Sequence, residues 1–290
     1  VYDFVHVGHA RCYVAFDAHR SDDDKPYLFA TEDHGATWTN ITANLPAFGS
    51  TRVLREDITN PDILYAGTEF GIFVSIDRGG KWTKLNNNLP TVAVHEVAQP
   101  TTASEIVVAT HGRSGWILDV ASLRQMPIRT VDDKKIDPLT EAATLFTPAP
   151  AVRWKLRADL EESPYSKNLR KFYGTNPDRR ASIEYALTKP AKELSLKMLD
   201  AADKTVWEFR NASKDAGFHK QSWSLNRAGG GGAAVPAGTY RVALHLDGKD
   251  GPKFSAALVV ENDPAADPKA IVTLENERRA GEEEEMDEEF

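Results

Sequence analysis

Three short stretches of this chain gather side chains able to act on a polar ligand. Residues 17–25 carry His19, Arg20 and Asp23, residues 69–70 carry Glu69, and residues 111–114 carry His111 and Arg113. Glycoside hydrolysis commonly uses two carboxyl groups set apart across the scissile bond, and Asp23 with Glu69 would supply them. Arg20 and Arg113 would then clamp an anionic group through paired N–H donors. The same groups around a channel can hold a protein, a peptide or a glycan without breaking a bond. Surface turns are polar in most proteins, so a purely solvated role stands beside these two. Catalytic residues are therefore unassigned, and the six side chains are candidates for ligand binding.

Other chemistries lack their residues. The sequence holds no His-Glu-x-x-His, no paired Cys-x-x-Cys, no Gly-x-Ser-x-Gly and no Walker pattern, and its eight histidines are scattered. Zinc, lipase-like and nucleotide-hydrolysing readings have no support, and neither a metal nor a cofactor is expected. Cys12 is the single cysteine, which excludes an internal disulfide, and it precedes the run 13–16. Core packing is expected of it rather than a reactive thiol.

What would bring the three stretches together is a repeat. Thr31-Glu32-Asp33-His34-Gly35-Ala36-Thr37-Trp38 returns 44 positions later as Ser75-Ile76-Asp77-Arg78-Gly79-Gly80-Lys81-Trp82. Phe29 maps to Phe73, Asn44 to Asn88, and Leu45-Pro46 to Leu89-Pro90. A period of about 40–50 residues holding short apolar runs and turn signals is how one blade of a β-propeller reads. The Asp carboxylate can accept backbone N–H groups at the turn, Gly35 and Gly79 can take a positive φ, and Trp38 and Trp82 can pack between sheets. Asp33 and Asp77 are read as turn staples rather than catalytic acids. The Ser/Thr-x-Asp-x-Gly-x-x-Trp pattern resembles the Asp-box, or BNR, repeat of sialidase-type propellers and of the sortilin/VPS10 family. Lys81 departs from the usual hydroxyl residue.

Strand-forming runs fit this frame. Residues 51–55, 63–68, 72–76 and 81–85 read as one four-stranded blade. Residues 11–16, 27–31 and 37–41 supply the last three strands of a preceding blade, whose first strand falls within 1–7. Residues 95–98, 106–110 and 115–120 belong to a third, closing blade without a box, also expected to have four strands. Successive strands are antiparallel, so the turns between second and third strands should converge on one face. The three charged stretches are those turns.

Tyr-Ala-Gly-Thr-Glu-Phe-Gly at 65–71, Asn-Asn-Leu-Pro at 87–90 and Thr-His-Gly-Arg-Ser-Gly-Trp-Ile-Leu-Asp at 110–119 are similar to the end of large bacterial BNR-repeat, sortilin-like proteins. That resemblance implies a glycosyl-hydrolase-like propeller with a C-terminal sandwich, in an extracellular, periplasmic or envelope-associated protein. The Arg-Ile-Pro element and arginine triad of true sialidases are not found in this segment. Three blades cannot close a ring. Further blades, from the same precursor or a partner subunit, are therefore expected, and an export signal is expected upstream of Val1.

Residues 122–170 are punctuated by proline and read as a linker. Period-two alternation follows: Ile183, Tyr185 and Leu187; Leu194, Leu196 and Met198; Tyr240, Val242, Leu244 and Leu246; Phe254, Ala256, Leu258 and Val260. This is the pattern of a β-sandwich, and the turn 235–240 resembles the entry to the penultimate strand of Ig-like modules. The net charge of −8 is concentrated at 282–290, which carries seven acids and leaves the rest of the chain close to neutral. A nucleic-acid footprint is not expected. No apolar run is long enough for a membrane span.

The sequence thus predicts an all-β chain. Propeller blades occupy 1–121, a linker 122–170, an Ig-like β-sandwich 171–262 and a disordered acidic tail 263–290. The expected role is a non-catalytic binding or scaffolding module of an exported BNR-repeat protein. The alternative is part of a glycosyl hydrolase whose other active-site residues lie upstream.

Overall fold

The structure, a computed structural model, describes residues 11–85, 88–101, 103–131, 134–154, 180–228, 233–248, 251 and 253–263. The expected first strand within 1–7, much of the linker and nearly all of the acidic tail lie outside the described residues. The chain divides into two compact units, Val1–Glu141 and Ala142–Phe290. It is all-β: propeller-type blades followed by an Ig-like sandwich.

The first unit is built from three consecutive antiparallel sheets. The first contains β1 (Cys12–Phe16), β2 (Tyr27–Thr31) and β3 (Thr39–Asn40). The second contains β4 (Thr51–Glu56), β5 (Leu64–Thr68), β6 (Gly71–Ser75) and β7 (Thr83–Lys84). The third contains β8 (Val94–Ala98), β9 (Glu105–Thr110) and β10 (Gly115–Asp119). A short hairpin of β11 (Arg129–Val131) and β12 (Lys134–Ile136) ends the unit.

The second sheet is buried on both faces, and its sequence shows why. Every residue of β5 and β6 is buried, because alternate side chains serve two different cores. Leu64, Ala66, Phe73 and Trp82 pack with Leu28, Ile41 and Leu45 of the first sheet and its exit. Tyr65, Ile72 and Val74 pack with Val94, Val97, Ile106 and Val108 of the third. β4 lies beside both β1 and β8, the arrangement of neighbouring blades. The approach is tight at Gly67, where a Cβ would come within 2.6 Å of the Val94 carbonyl oxygen.

The two box turns share one hydrogen-bond plan. Thr31 Oγ1 donates to Asp33 at 2.8 Å and accepts the Gly35 N–H at 2.9 Å. Ser75 Oγ does the same with Asp77 and Gly79, both at 2.7 Å. Asp33 then accepts the Thr37 N–H at 2.8 Å and its hydroxyl at 2.6 Å. Asp77 accepts only the Lys81 N–H there, at 2.9 Å. The Thr37 hydroxyl, then the backbone N–H, hold the Asp33 carboxyl down at about 2.

Three expectations meet a difference here. Among the described residues the third sheet has three strands, not four, because the chain does not turn back after β10; residues 123–125 form a 3-10 helix instead. That helix is tied back onto the second sheet: the Arg124 Nε donates to the fully buried Asp57 at 2.9 Å, and Asp57 also accepts the Tyr65 hydroxyl at 2.9 Å. Burial, then the Asp57 charge, raises the Tyr65 hydroxyl far above its ordinary range. Trp82 is 3% exposed between the first two sheets, whereas its repeat mate Trp38 is 45% exposed. Cys12 is only half-buried.

The second unit is the sandwich. One sheet has the order β13 (Ala143–Leu145), β15 (Ala181–Leu187), β18 (Gly217–Trp223). The other has the order β14 (Ala151–Arg153), β20 (Lys253–Asn262), β19 (Gly238–Leu246), β16 (Leu194–Leu199), β17 (Thr205–Glu208). The apolar members of the alternating runs face a single core. At its centre Trp223 is fully buried, donates its indole N–H to the Asn226 carbonyl at 2.9 Å, and meets Tyr240 edge-on. Tyr240 donates its hydroxyl to the Pro236 carbonyl at 2.8 Å, pinning the turn that enters β19. β13 and β14 fall inside the stretch read as linker. Each is three residues long at a sheet edge, too short to show alternation.

Candidate functional site

A backbone irregularity on each of two strands creates the site. The pairing of β4 with β5 slips between Thr51 and Val53, and that of β8 with β9 slips between Val94 and Glu96. A bulge leaves one residue unpaired and re-aims its side chain. The residues so placed are Arg52 and His95, at the same point of two successive blades.

Arg52 is the hub. Its guanidinium forms ion pairs with Asp17, which follows β1, and with Glu69 in the turn joining β5 to β6. Asp17 accepts the His19 N–H at 3.1 Å, and its carboxylate lies 2.8 Å from His19 Nδ1. His95 stacks on His111 with ring centroids 5.2 Å apart. The turns after β1, β5 and β9 thus converge with the first residues of β4 and β8 at one end of the sheets. Tyr13, Asp17, His19, Arg20, Arg52 and His95 also line a cleft of about 1500 Å³ beside β1, β4 and β8.

The electrostatics favour fixed charge. Burial alone would raise Asp17, but the hydrogen bonds from His19 and the Arg52 charge outweigh it and keep its carboxyl low. His95 is held below the usual histidine value by burial, then by the Arg52 charge and by His111. Beside the cluster, Phe70 stacks on Phe48 with centroids 5.9 Å apart, and the two rings are 41% and 61% exposed. Gly49 permits this, since a Cβ there would lie 2.7 Å from the Phe70 ring.

Of the six side chains expected from sequence, His19, Glu69 and His111 enter the cluster. Arg20 lines the cleft and has no ion pair among the described residues. Asp23 turns aside, accepting the Tyr27 hydroxyl at 2.6 Å and the Lys25 N–H at 3.2 Å. The Tyr27 hydroxyl, then the Lys25 N–H, hold the Asp23 carboxyl below its ordinary value. Arg113 accepts the Trp116 indole N–H at its carbonyl, and its side chain makes no ion pair among the described residues. Arg52, His95 and Asp17 were missed as site residues. Arg52 and His95 stand 43 residues apart, one short of the box period, so the repeat register carried a signal for both.

Among the described residues no group of three or more His, Cys, Asp or Glu side chains is arranged to hold a metal ion. None of their helices is long and apolar enough to cross a membrane.

Comparison with known proteins bears chiefly on the sandwich. Residues 168–250 match the family described as the FlgD Ig-like domain. No curated protein matches the chain. Among solved structures, CopC from Methylosinus trichosporium is 15% identical, with a TM-score of 0.21 over 30% of this chain and 80% of its own. The extracellular domain of a putative one component system from B. thetaiotaomicron is 10% identical, with a TM-score of 0.31 over 92% of this chain and 31% of its own. The GH74 xyloglucanase from Xanthomonas campestris is 14% identical, with a TM-score of 0.30 over 86% and 36%. The chain therefore spans about a third of the length of these last two proteins.

Proposed function

We propose that this chain is a non-catalytic binding or scaffolding module of an exported or envelope-associated BNR-repeat propeller protein. Its ligand site is the charged end of the sheets. The observation that carries this reading is the Arg52 hub. One guanidinium engages two carboxylates, Asp17 and Glu69, so the acids are committed to an ion-pair network rather than left to move protons. Glycoside hydrolysis needs one carboxyl kept protonated as general acid, which calls for a raised pKa. Asp17 and Asp23 are both held low instead. Fixed charges beside the exposed Phe48–Phe70 pair suit recognition of a peptide or glycan carrying both polar and apolar groups.

The two box turns, with their matched hydrogen bonds, support the BNR assignment. The test is binding of the 290-residue chain to peptide and glycan arrays. Ligands lost on Arg52→Gln and on Phe70→Ala, with folding intact, are expected. Hydrolysis of aryl glycosides by the parent protein, abolished by Glu69→Gln or Asp23→Asn, would instead favour the glycosidase. Detection of the parent in the cytoplasmic fraction alone would sink the exported assignment.

A further inference from the structure

The two tryptophans of the repeat occupy equivalent places in sequence and unequal places in space. Trp82 is seated on the exit of the preceding sheet. Its indole N–H donates to the Ile41 carbonyl at 2.8 Å. The Asn44 side chain clamps its backbone, accepting from Trp82 N at 2.7 Å and donating to its carbonyl oxygen at 2.9 Å. Ile41 also lies over Gly79, so closely that a Cβ there would come within 2.8 Å of it. Leu45, just beyond Asn44, is buried in the same core. One exit element, aliphatic-x-x-Asn-Leu-Pro, therefore fills the slot beside the box.

At the first box the slot is formed, and none of the described residues fills it. Among the described residues the Trp38 indole N–H has no acceptor. A Cβ on Gly35 would meet only the ring of Trp38, at 3.8 Å. The rest of that sheet face matches. On β2, Leu28 and Ala30 turn toward the second sheet, so Phe29 points the other way, as its repeat mate Phe73 does. Phe73 is buried against the first sheet, while Phe29 is only half-buried. On β1, Tyr13 and Ala15 face the second sheet, leaving Val14 and the 49% exposed Phe16 on the outer face.

We infer that the outer face of the first sheet docks a further propeller blade, which leaves through an aliphatic-x-x-Asn-Leu-Pro exit and seats its aliphatic carbonyl on the Trp38 indole. The inference rests on the propeller reading above and names the partner chemistry it requires. A second copy of this chain does not fit. Its exit at 41–46 is already occupied by its own Trp82. At its second exit, Leu85 and Leu89 already pack in the core shared with the third sheet. The third sheet leaves through Val120-Ala121-Ser122-Leu123, which has neither the Asn nor the Leu-Pro.

The test appends a copy of residues 39–46 to the front of the full chain through a flexible Gly/Ser linker of about 20 residues, which keeps the local concentration near the millimolar range. The readout is hydrogen exchange of the Trp38 indole proton by NMR, assigned with Trp38→Phe. Exchange at least tenfold slower in the fusion than in the parent chain is expected, with the protection lost when the appended copy carries Ile41→Ala and Asn44→Ala. Unchanged exchange overturns the proposal, as does equal protection by the altered copy. Protection that rises with protein concentration in the chain without the fusion would assign the face to a second copy and overturn the choice of partner. Array binding that depends on Arg52 is read separately, so the ligand site and this docking face fail independently.

Discussion

The sheets of the first unit and the sandwich of the second solve burial in opposite ways. In the sandwich two sheets present one apolar face each to a single shared core, and the other face is more exposed, as the alternation of buried and part-exposed residues along β15 shows. In the first unit the second sheet divides its side chains between two cores, one with each neighbour. A sandwich is complete with two sheets. A blade is complete only when sheets stand on both its sides. The second sheet meets that condition among the described residues, and the first does not. Self-sufficiency is thus a property of how faces are shared, not of strand content.

The sharpest way to break the comparison is to empty each kind of core. Trp223→Ala and Trp82→Ala should each cost about 3–5 kcal/mol, the usual result of removing a large buried aromatic, measured by urea unfolding with exchange-resolved local probes. If Trp82→Ala proved as mild as a surface change, the blade interface would not be a core. The next effect is at the tie between the 3-10 helix and the second sheet. Arg124→Ala strands the buried Asp57 carboxylate and should cost about 3 kcal/mol, and Arg124→Lys should restore little because one ammonium cannot match the guanidinium geometry. Ser75→Ala removes the hydroxyl that joins Asp77 to Gly79 and should cost about 1 kcal/mol.

Trp38→Ala, on a face with no partner among the described residues, should change the stability of this chain by less than about 0.5 kcal/mol. A larger loss would mean the face is already covered. The finest test is a titration. Burial and the Arg52 charge favour neutral His95, so its midpoint in the folded chain lies below its ordinary value of 6.5. The unfolded chain then binds the proton more readily. The contribution of His95 is therefore fully present above pH 6.5 and is lost as the pH falls through the lower folded midpoint. Arg52→Gln should move the His95 NMR midpoint upward; a downward move would remove Arg52 from its surroundings.

What the sequence revealed follows the same division. The sandwich strands were legible because one wet and one dry face produce a period of two, and every residue of the run Ile183, Tyr185, Leu187 is buried as that period requires. The blades were legible through the box, whose Asp, Gly and hydroxyl residues answer to one local turn. The third sheet lost its fourth strand because that strand was supposed by analogy with the second, without a box to reverse the chain. Of the cluster, His19, Glu69 and His111 could be found from strand order alone. Arg52 and His95 left only the trace of their 43-residue spacing, because a bulge exists only once two strands have chosen their register. Asp23 failed for a local reason, being captured by a tyrosine four residues away.

The contact between Arg124 and Asp57 also sets how the first unit bears load. Tension entering from the sandwich side arrives along the backbone at residue 126, just past the 3-10 helix. It meets the guanidinium anchor, and the Asn60 side chain holding the Arg124 carbonyl at 2.9 Å, before it can reach β10. The third sheet is thus shielded from peeling strand by strand, since the pull is handed to the second sheet, whose strands β5 and β6 are buried throughout.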